Sequence, residues 1–299
     1  ATKAGVAALT TSYQYDAMDN RTRITWPDNY YAQYDYDALN RLIDVKENGS
    51  ATLAHYDYDA QSRLTGITYG VNNYAGGSGV SQMEFDWEID SDLDQLTHRF
   101  NGSTDVTFDY GYDASGKLTS ETASVSGWLY EPQYVRTDRY SAAYNLNQYT
   151  AVNGITVSHD LNGNRTSYDG LSTPHDSENR LLSIGSSLTY SYDADGRRTA
   201  KTDSSGTTQY VHAGDMEIAE YSGGMLQQRY IPGHSVDQRV AWVDVGANSK
   251  QYYHVNRLGS VQAVASASVG AVTDQYVYTP FGVESPIKPT GNPIRYTGR

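Results

Sequence analysis

With 299 residues, 38% of them hydrophobic and 19% charged, the chain is too apolar and too weakly charged for a disordered segment. Its apolar stretches, such as Val261 to Ala267, are broken by polar residues and fall far short of the roughly 20 residues a membrane helix needs. A formal charge of -13 has the wrong sign for a phosphate backbone or an anionic lipid surface, and the absence of cysteine removes disulfides, thiolate nucleophiles and cysteine-based metal sites.

The chain opens without methionine and without a charged-then-apolar leader, so it reads as a mature or excised piece. Its 28 tyrosines against 4 phenylalanines and 4 tryptophans point to rings used at half-wet positions, where a hydroxyl has work to do. An aromatic-acid step recurs along it, at Tyr15-Asp16, Tyr36-Asp37, Tyr58-Asp59, Tyr112-Asp113, His159-Asp160, His175-Asp176 and Tyr192-Asp193. Weaker echoes stand at Trp87-Glu88 and Tyr144-Asn145. Successive steps lie 15 to 32 residues apart, too irregular for a solenoid of rigid rungs but suited to hairpins with arms of variable length.

Three residues after each acid stands Asp19, Asn40, Ser62, Gly116, Gly163, Asn179 or Gly196, and all but Ser62 are residue types that accept a left-handed backbone. An acid, two ordinary residues and a left-handed residue describe a type I turn closed by a bulge. One or two positions further on comes a base, at Arg21, Arg41, Arg63, Lys117, Arg165, Arg180 or Arg197, expected to face the acid across the hairpin mouth. Before the turn, Tyr13/Tyr15, Tyr34/Tyr36, Tyr56/Tyr58, Tyr110/Tyr112 and Tyr190/Tyr192 sit two apart, which in a strand places both rings on one face. After it come Leu42, Leu64, Leu118 and Leu181 in alternating patterns. The expected fold is all-β, an extended, curved antiparallel strip of repeated hairpins that stack their tyrosines into ladders. The glycine-rich or serine-rich stretches Tyr74 to Ser81 and Thr122 to Gly127 are expected as loops, and Glu217 to Tyr221 is too short to count as a helix.

Candidate chemistry is sparse. His159 and His175 occupy the tyrosine slot of the repeat, and no zinc-type histidine spacing, nucleophile elbow or phosphate-binding loop occurs. Asp90, Asp92 and Asp94 imitate the opening of a calcium loop, but the sixth position is Gln95 and the twelfth Asn101, so the run is taken as a solvated acidic strand face, with calcium the alternative. Carboxylates at exposed turns lack the burial that raises a pKa for acid catalysis. No catalytic residue, cofactor or resident metal is assigned.

From Gln209 the simple unit gives way to longer strings: Gly214-Asp215-Met216-Glu217-Ile218-Ala219-Glu220-Tyr221, Tyr252-Tyr253-His254-Val255-Asn256-Arg257-Leu258-Gly259-Ser260, Tyr276-Val277-Tyr278-Thr279-Pro280-Phe281-Gly282 and Asn292-Pro293-Ile294-Arg295-Tyr296-Thr297-Gly298. With the preceding steps, they resemble the Rhs or YD-repeat family over essentially the whole chain. That family includes the C components of insecticidal toxin complexes and the teneurins. The resemblance implies a β-strip wound into a hollow shell which, in bacterial members, encloses a toxic C-terminal domain. The family core continues past the Tyr-Thr-Gly string into a plug and a self-cleaving aspartate region, whereas this sequence ends at Arg299, so neither cleavage nor toxicity is carried over. A degenerate repeat array is expected over residues 1–200 and core-like hairpins over residues 201–299, in one continuous strip.

The function expected is mechanical: the repeat portion of a secreted or surface-delivered bacterial protein that walls off, carries or presents a neighbouring polypeptide. Its partners would be the remainder of the parent chain or an enclosed toxin, together with itself through open strand edges. Neither nucleic acid nor a membrane span is expected. An extracellular carbohydrate- or receptor-binding module, with tyrosines stacking on glycans, is the alternative. The structural residues are the steps and bases given above, with Gly116, Gly163 and Gly196 permitting turns, and Leu258, Gly259, Pro280, Phe281 and Gly282 shaping the terminal hairpins. Replacing Gly196 by Val is expected to cost several kcal/mol at a left-handed site, read by thermal denaturation; an unchanged melting curve removes the turn assignment.

Overall fold

A computed structural model describes residues 9–71, 80–131, 139–141, 143–144, 148–279, 282–284 and 292–298. The chain packs as two compact units, Ala1–Glu131 with Gln228–Arg299, and Pro132–Gln227.

The first unit begins with ten strands: β1 Ser12–Tyr15, β2 Arg21–Thr25, β3 Tyr31–Tyr36, β4 Leu42–Glu47, β5 Ala51–Tyr58, β6 Leu64–Val71, β7 Ser81–Trp87, β8 Leu93–Phe100, β9 Val106–Tyr112 and β10 Leu118–Ala123. Each pairs with the next, antiparallel where the register is described, so sheet order is chain order and β1 and β10 are the edges. The sequence favours this where the arms alternate. In β3 Ala32 and Tyr34 point inward, in β8 Leu96, His98 and Phe100, in β9 Val106, Phe108 and Tyr110, all buried.

In the second unit β11 (Ala143–Tyr144) pairs with β12 (Gln148–Tyr149), and β13 (Ala151–Val152), β14 (Ile155–His159), β15 (Arg165–Tyr168) and β16 (Leu171–Ser172) form a four-stranded meander. Then β17 (Ser183–Ile184), β18 (Leu188–Tyr192), β19 (Arg198–Asp203), β20 (Gly206–Ala213) and β21 (Met216–Ser222) pair in succession. The Glu217 to Tyr221 stretch therefore lies within a strand. Among the described residues this unit has a thin core, with Val211, Ile218, Ala219 and Tyr221 its buried hydrophobics.

From Gln228 the chain belongs again to the first unit, through β22 (Met225–Pro232), β23 (Arg239–Asp244), β24 (Ser249–Val255), β25 (Val261–Ser266) and β26 (Val272–Gln275). Four consecutive residues of β23 and five of β25 are buried. Unbroken burial means both faces are covered, in contrast to the one-sided arms of β3 and β9. The two strand arrays of this unit are joined by polar contacts as well as by packing. The Tyr34 hydroxyl donates to the Pro232 carbonyl at 3.3 Å and the Tyr69 hydroxyl to that of Tyr253 at 2.9 Å, while Tyr69 stacks on Tyr252 with ring centroids 5.2 Å apart. Buried Arg229 pairs with Asp28 and lies over the Tyr30 ring, and Lys250 pairs with Glu47.

Of the two expected loops, Tyr74 to Gly79 lie outside the described residues; Ser81 opens β7, and Thr122 and Ala123 still belong to β10. The run of acids from Asp86 to Asp94 is not one strand face. Asp86 lies in β7, Asp90 and Asp92 in the turn that follows, and Asp94 in β8, because the Trp87-Glu88 echo folds as a hairpin and reverses the chain between them. Phe108→Ala is expected to lower stability by about 3 to 5 kcal/mol, and Leu39→Ala, at an exposed turn crest, by no more than about 0.5 kcal/mol, both read by denaturant unfolding.

Candidate functional site

The recurring site is the turn itself. In all seven clear units the acid's amide N–H donates to the carbonyl four residues on, and the amide three residues on donates back to the acid's carbonyl. Asp19, Asn40, Ser62, Gly116, Gly163, Asn179 and Gly196 all carry positive φ, between 62° and 89°. One carboxylate oxygen of each acid accepts the N–H groups two and four residues ahead, at 2.8 to 3.1 Å. These bonds favour the anion, and all seven carboxyls are held below the usual aspartate range. The Asn20 and Asn164 side chains lead at Asp16 and Asp160, the Arg41 and Arg180 amides at Asp37 and Asp176, and the Ser115 hydroxyl at Asp113. At Asp59 and Asp193 partial desolvation opposes the shift and is outweighed by the amide and guanidinium of the following arginine.

The second carboxylate oxygen binds the side chain four residues on. Arg41 Nε donates to Asp37 at 2.7 Å, Arg63 to Asp59 at 2.6 Å, Arg180 to Asp176 and Arg197 to Asp193 both at 2.7 Å. Each of these arginines also reaches the next turn. Nη1 donates to the carbonyl of Asp59, Glu88, Asp193 or Gly214, respectively, at 2.7 to 3.3 Å. The same guanidinium lies over the next step's ring, 4.7 Å from the Tyr58 centroid for Arg41, 5.8 Å from Trp87 for Arg63 and 5.2 Å from Tyr192 for Arg180. One side chain therefore closes its own hairpin and ties it to its neighbour.

The step aromatics complete the tie from the other side. Tyr36, Tyr58, Tyr112 and Tyr192 donate their hydroxyls to the carbonyls of Arg21, Leu42, Leu93 and Leu181 at 2.8 to 3.1 Å, and Trp87 donates its indole N–H to Leu64 at 2.7 Å. Every acceptor is the residue five places after the preceding acid, beyond the last registered pair of its strand with the next. That is why these five units place tyrosine or tryptophan rather than phenylalanine in the slot. The expected ladder of stacked tyrosines is thereby corrected: Tyr36, Tyr58, Tyr112 and Tyr192 are joined by hydroxyl–carbonyl bonds, with an arginine lying over Tyr58 and over Tyr192, rather than ring on ring. Tyr15, in edge strand β1, is exposed.

The expected acid–base pairing holds for four of the seven bases. Arg21 and Arg165 stand five residues after the acid and point elsewhere, Arg21 over Tyr34 and Arg165 over Tyr168. Their place is taken by Asn20 and Asn164, whose amides donate to Asp16 and Asp160 at 3.0 Å and onward to Asn40 and Asn179. Lys117 gives Asp113 its backbone N–H, while the Ser115 hydroxyl takes the side-chain position. Its hairpin ends at edge strand β10, with no following turn in that sheet to reach.

Among the described residues four further turns share the backbone pattern, headed by Trp26, Glu88, Asn256 and Thr279. Glu88 and Ser91 repeat the backbone pattern, with φ 75° at Ser91. Asn256 accepts from the amides of Leu258 and Ser260 at 3.0 Å, with Leu258 exposed at the crest and Gly259 at φ 78°. Pro280 and Phe281 lie outside the described residues; Gly282 adopts φ 79°, and a Cβ there would stand 2.6 Å from the Tyr296 ring. Among the described residues no group of three or more His, Asp or Glu side chains is placed to hold a metal ion.

Sequence reasoning missed a second constellation. His98 in β8 and His254 in β24 are fully buried, their Nδ1 atoms 3.2 Å apart, and His254 Nε2 stands 3.0 Å from Ser81 Oγ in β7. Desolvation pushes both imidazoles down, His98 to about 4. The signal was the alternation Leu96-His98-Phe100, which puts a histidine in a core slot.

Consecutive antiparallel hairpins, closed by acid-led turns and sewn turn to turn, define an all-β YD-type repeat protein. The RHS Repeat family model matches residues 36–73 and 175–208, the two stretches that hold the four complete pairs Asp37–Arg41, Asp59–Arg63, Asp176–Arg180 and Asp193–Arg197. The chain carries Rhs/YD repeats over those two stretches. It is similar to the tRNA3(Ser)-specific nuclease WapA of Bacillus spizizenii, 28% identical over 207 residues, covering 64% of this chain and 8% of that protein. It is also similar to the tRNA(Glu)-specific nuclease WapA of Bacillus subtilis subsp. natto, 30% identical over 172 residues, covering 53% and 7%. The match thus spans less than a tenth of these relatives' length. Among solved structures, the TcdB2-TccC3-Cdc42 complex aligns with 99% of this chain and 17% of its own at TM-score 0.38 and 17% identity. The Photorhabdus luminescens Tc holotoxin pore aligns with 92% and 15% at TM-score 0.35 and 15% identity.

Removing the hydroxyl in Tyr58→Phe is expected to cost about 1 kcal/mol. Arg63→Met, which loses both turn contacts, should cost about 1 to 2 kcal/mol, and Lys117→Met less than about 0.5 kcal/mol. Urea unfolding of the three variants checks the order, and equal losses at Arg63 and Lys117 contradict the bridging role.

Proposed function

We propose that this chain is the wall-building portion of an exported bacterial Rhs/YD-repeat protein, which encloses, carries or presents a neighbouring polypeptide of the same parent chain. The observation that carries this reading is the turn lattice. Its charges and tyrosine hydroxyls are spent joining hairpin to hairpin, which supports a sheet built to extend rather than a pocket built to react. Catalysis by this portion is not part of the reading: the turn carboxylates are hydrogen-bonded anions held below their usual pKa, and the buried histidines are sealed among aromatic rings. The nuclease activity in the relatives' names belongs to proteins of which this match covers under a tenth. The test is a protease challenge of the natural parent protein. The neighbouring polypeptide is expected to survive much longer than the same polypeptide expressed alone, and equal digestion rates overturn the reading.

An exposed tyrosine pair favours glycan binding as the second reading. Tyr140 and Tyr149 lie with ring centroids 4.5 Å apart, 54% and 44% exposed, and a flat amphipathic pair of this kind suits a sugar face. Glycan-array binding that Tyr149→Ala abolishes without changing the melting temperature supports it, and no binding removes it.

A further inference from the structure

The buried histidine contact has a protonation logic of its own. A neutral imidazole carries one ring proton, so an Nδ1-to-Nδ1 hydrogen bond needs one ring with its proton at Nδ1 and one without. Both arrangements satisfy the chain of contacts. If His98 donates, His254 carries its proton on Nε2 and gives it to Ser81 Oγ; if His254 donates, its Nε2 accepts from the Ser81 hydroxyl. A first added proton puts a cation in a closed aromatic setting. The His254 ring centroid is 4.5 Å from Phe100 and 5.2 Å from Tyr69, and that of His98 is 5.6 Å from Phe108 and 6.3 Å from Trp128. A second proton sets two N–H donors against each other, and the contact has to part.

We propose that His98 and His254 form an acid-sensitive latch, which joins β7 and β8 to β24 in neutral solution and releases that joint when both rings are protonated. The proposal is independent of the enclosure reading. The latch links residues 156 positions apart in the chain, so its release loosens one joint between two arrays rather than between two neighbours in one hairpin. No ion pair offsets the added charge: among the described residues neither ring has a carboxylate partner, and the influences on them are burial, each other and the Gln262 amide of β25. Tyr69 of β6 is the titratable side chain stacked beside them, and burial pushes its phenol up, so it stays neutral. Ser81, Phe100, Phe108 and Trp128 supply no charge. A cleft of about 450 Å³ lined by Gln262, Trp128, Tyr278 and Tyr296 lies one side chain away from His98. With two nitrogens and no third ligand group at hand, the pair is not a metal site.

The sign follows from linkage. Both folded pKa values lie below the unfolded histidine value near 6.5, so the stabilisation is complete above that pH and is lost as pH falls toward the folded values. At pH 5 the closed state is disfavoured by up to about thirtyfold per ring relative to neutral pH. His55 titrates in the opposite sense. Its burial is outweighed by the Asp44 carboxylate at 2.8 Å, which raises its pKa and makes it the internal control.

The experiment is amide hydrogen exchange on the full chain from pH 7.5 to 4.5, corrected for intrinsic rates. β7, β8 and β24 are expected to lose protection in one step steeper than a single-proton titration, while β3 and β4 keep theirs. In His98→Gln/His254→Gln the step should move down by at least about one pH unit, and in His55→Gln it should stay within the wild-type step. An unmoved step in the double variant overturns the latch. Where that variant fails to fold, ring 15N spectra of the wild-type histidines decide: two rings neutral until opening begins support the latch, and either ring titrating near 6.5 in the closed protein overturns it.

Discussion

An aspartate at the head of a tight turn has two oxygens and more donors around it than one oxygen can serve. In this chain the first oxygen gathers two amides of its own turn, and the second is left to orient an arginine lying along the rim. A guanidinium has five donors in a planar fork, so one facing a carboxylate still has a nitrogen free to point outward and a face free to cover a ring. The outward nitrogen finds the next turn's carbonyl, and the face finds the next tyrosine. Lysine offers a point charge without the fork. It stands at Lys117, where no turn follows in the sheet.

Much of the fold was legible before coordinates because the information is local. The acid, the left-handed residue three places on and the alternating arms all lie within about ten residues, and backbone sterics at Asn40 or Gly196 do not depend on distant partners. Arg21 and Arg165 were misjudged because a shift of one residue along a strand turns a side chain to the opposite face, so a base five places after the acid cannot do what a base four places after it does. Asn256 was under-read as a turn head because acceptor geometry, rather than charge, is what the turn requires.

Contacts between residues far apart in the chain were not legible. Nothing near Tyr69 announces that its hydroxyl will meet the Tyr253 carbonyl, and nothing near Asp28 announces Arg229. His98 carried a faint local signal, but its meaning depends on His254, and that pairing follows from how two strand arrays face each other. The repeat is therefore written in short-range grammar, and the contacts that join one strand array to the other are long-range.

The bridging arginines and tyrosines all work along the rim of the acid-led turns. The opposite rim carries connections without the acid-led tie: the reversal at Trp26–Tyr30 keeps the backbone pattern with a tryptophan at its head, whereas the Glu47–Ser50 turn and the reversal between β8 and β9 are built differently. Since the recurring chemistry of one hairpin reaches the next, a whole hairpin can be duplicated or deleted and leave the remaining rim spliced end to end. Growth by whole modules is thus open to the gene, with length and ornament evolving on one margin while the stitching on the other stays the same.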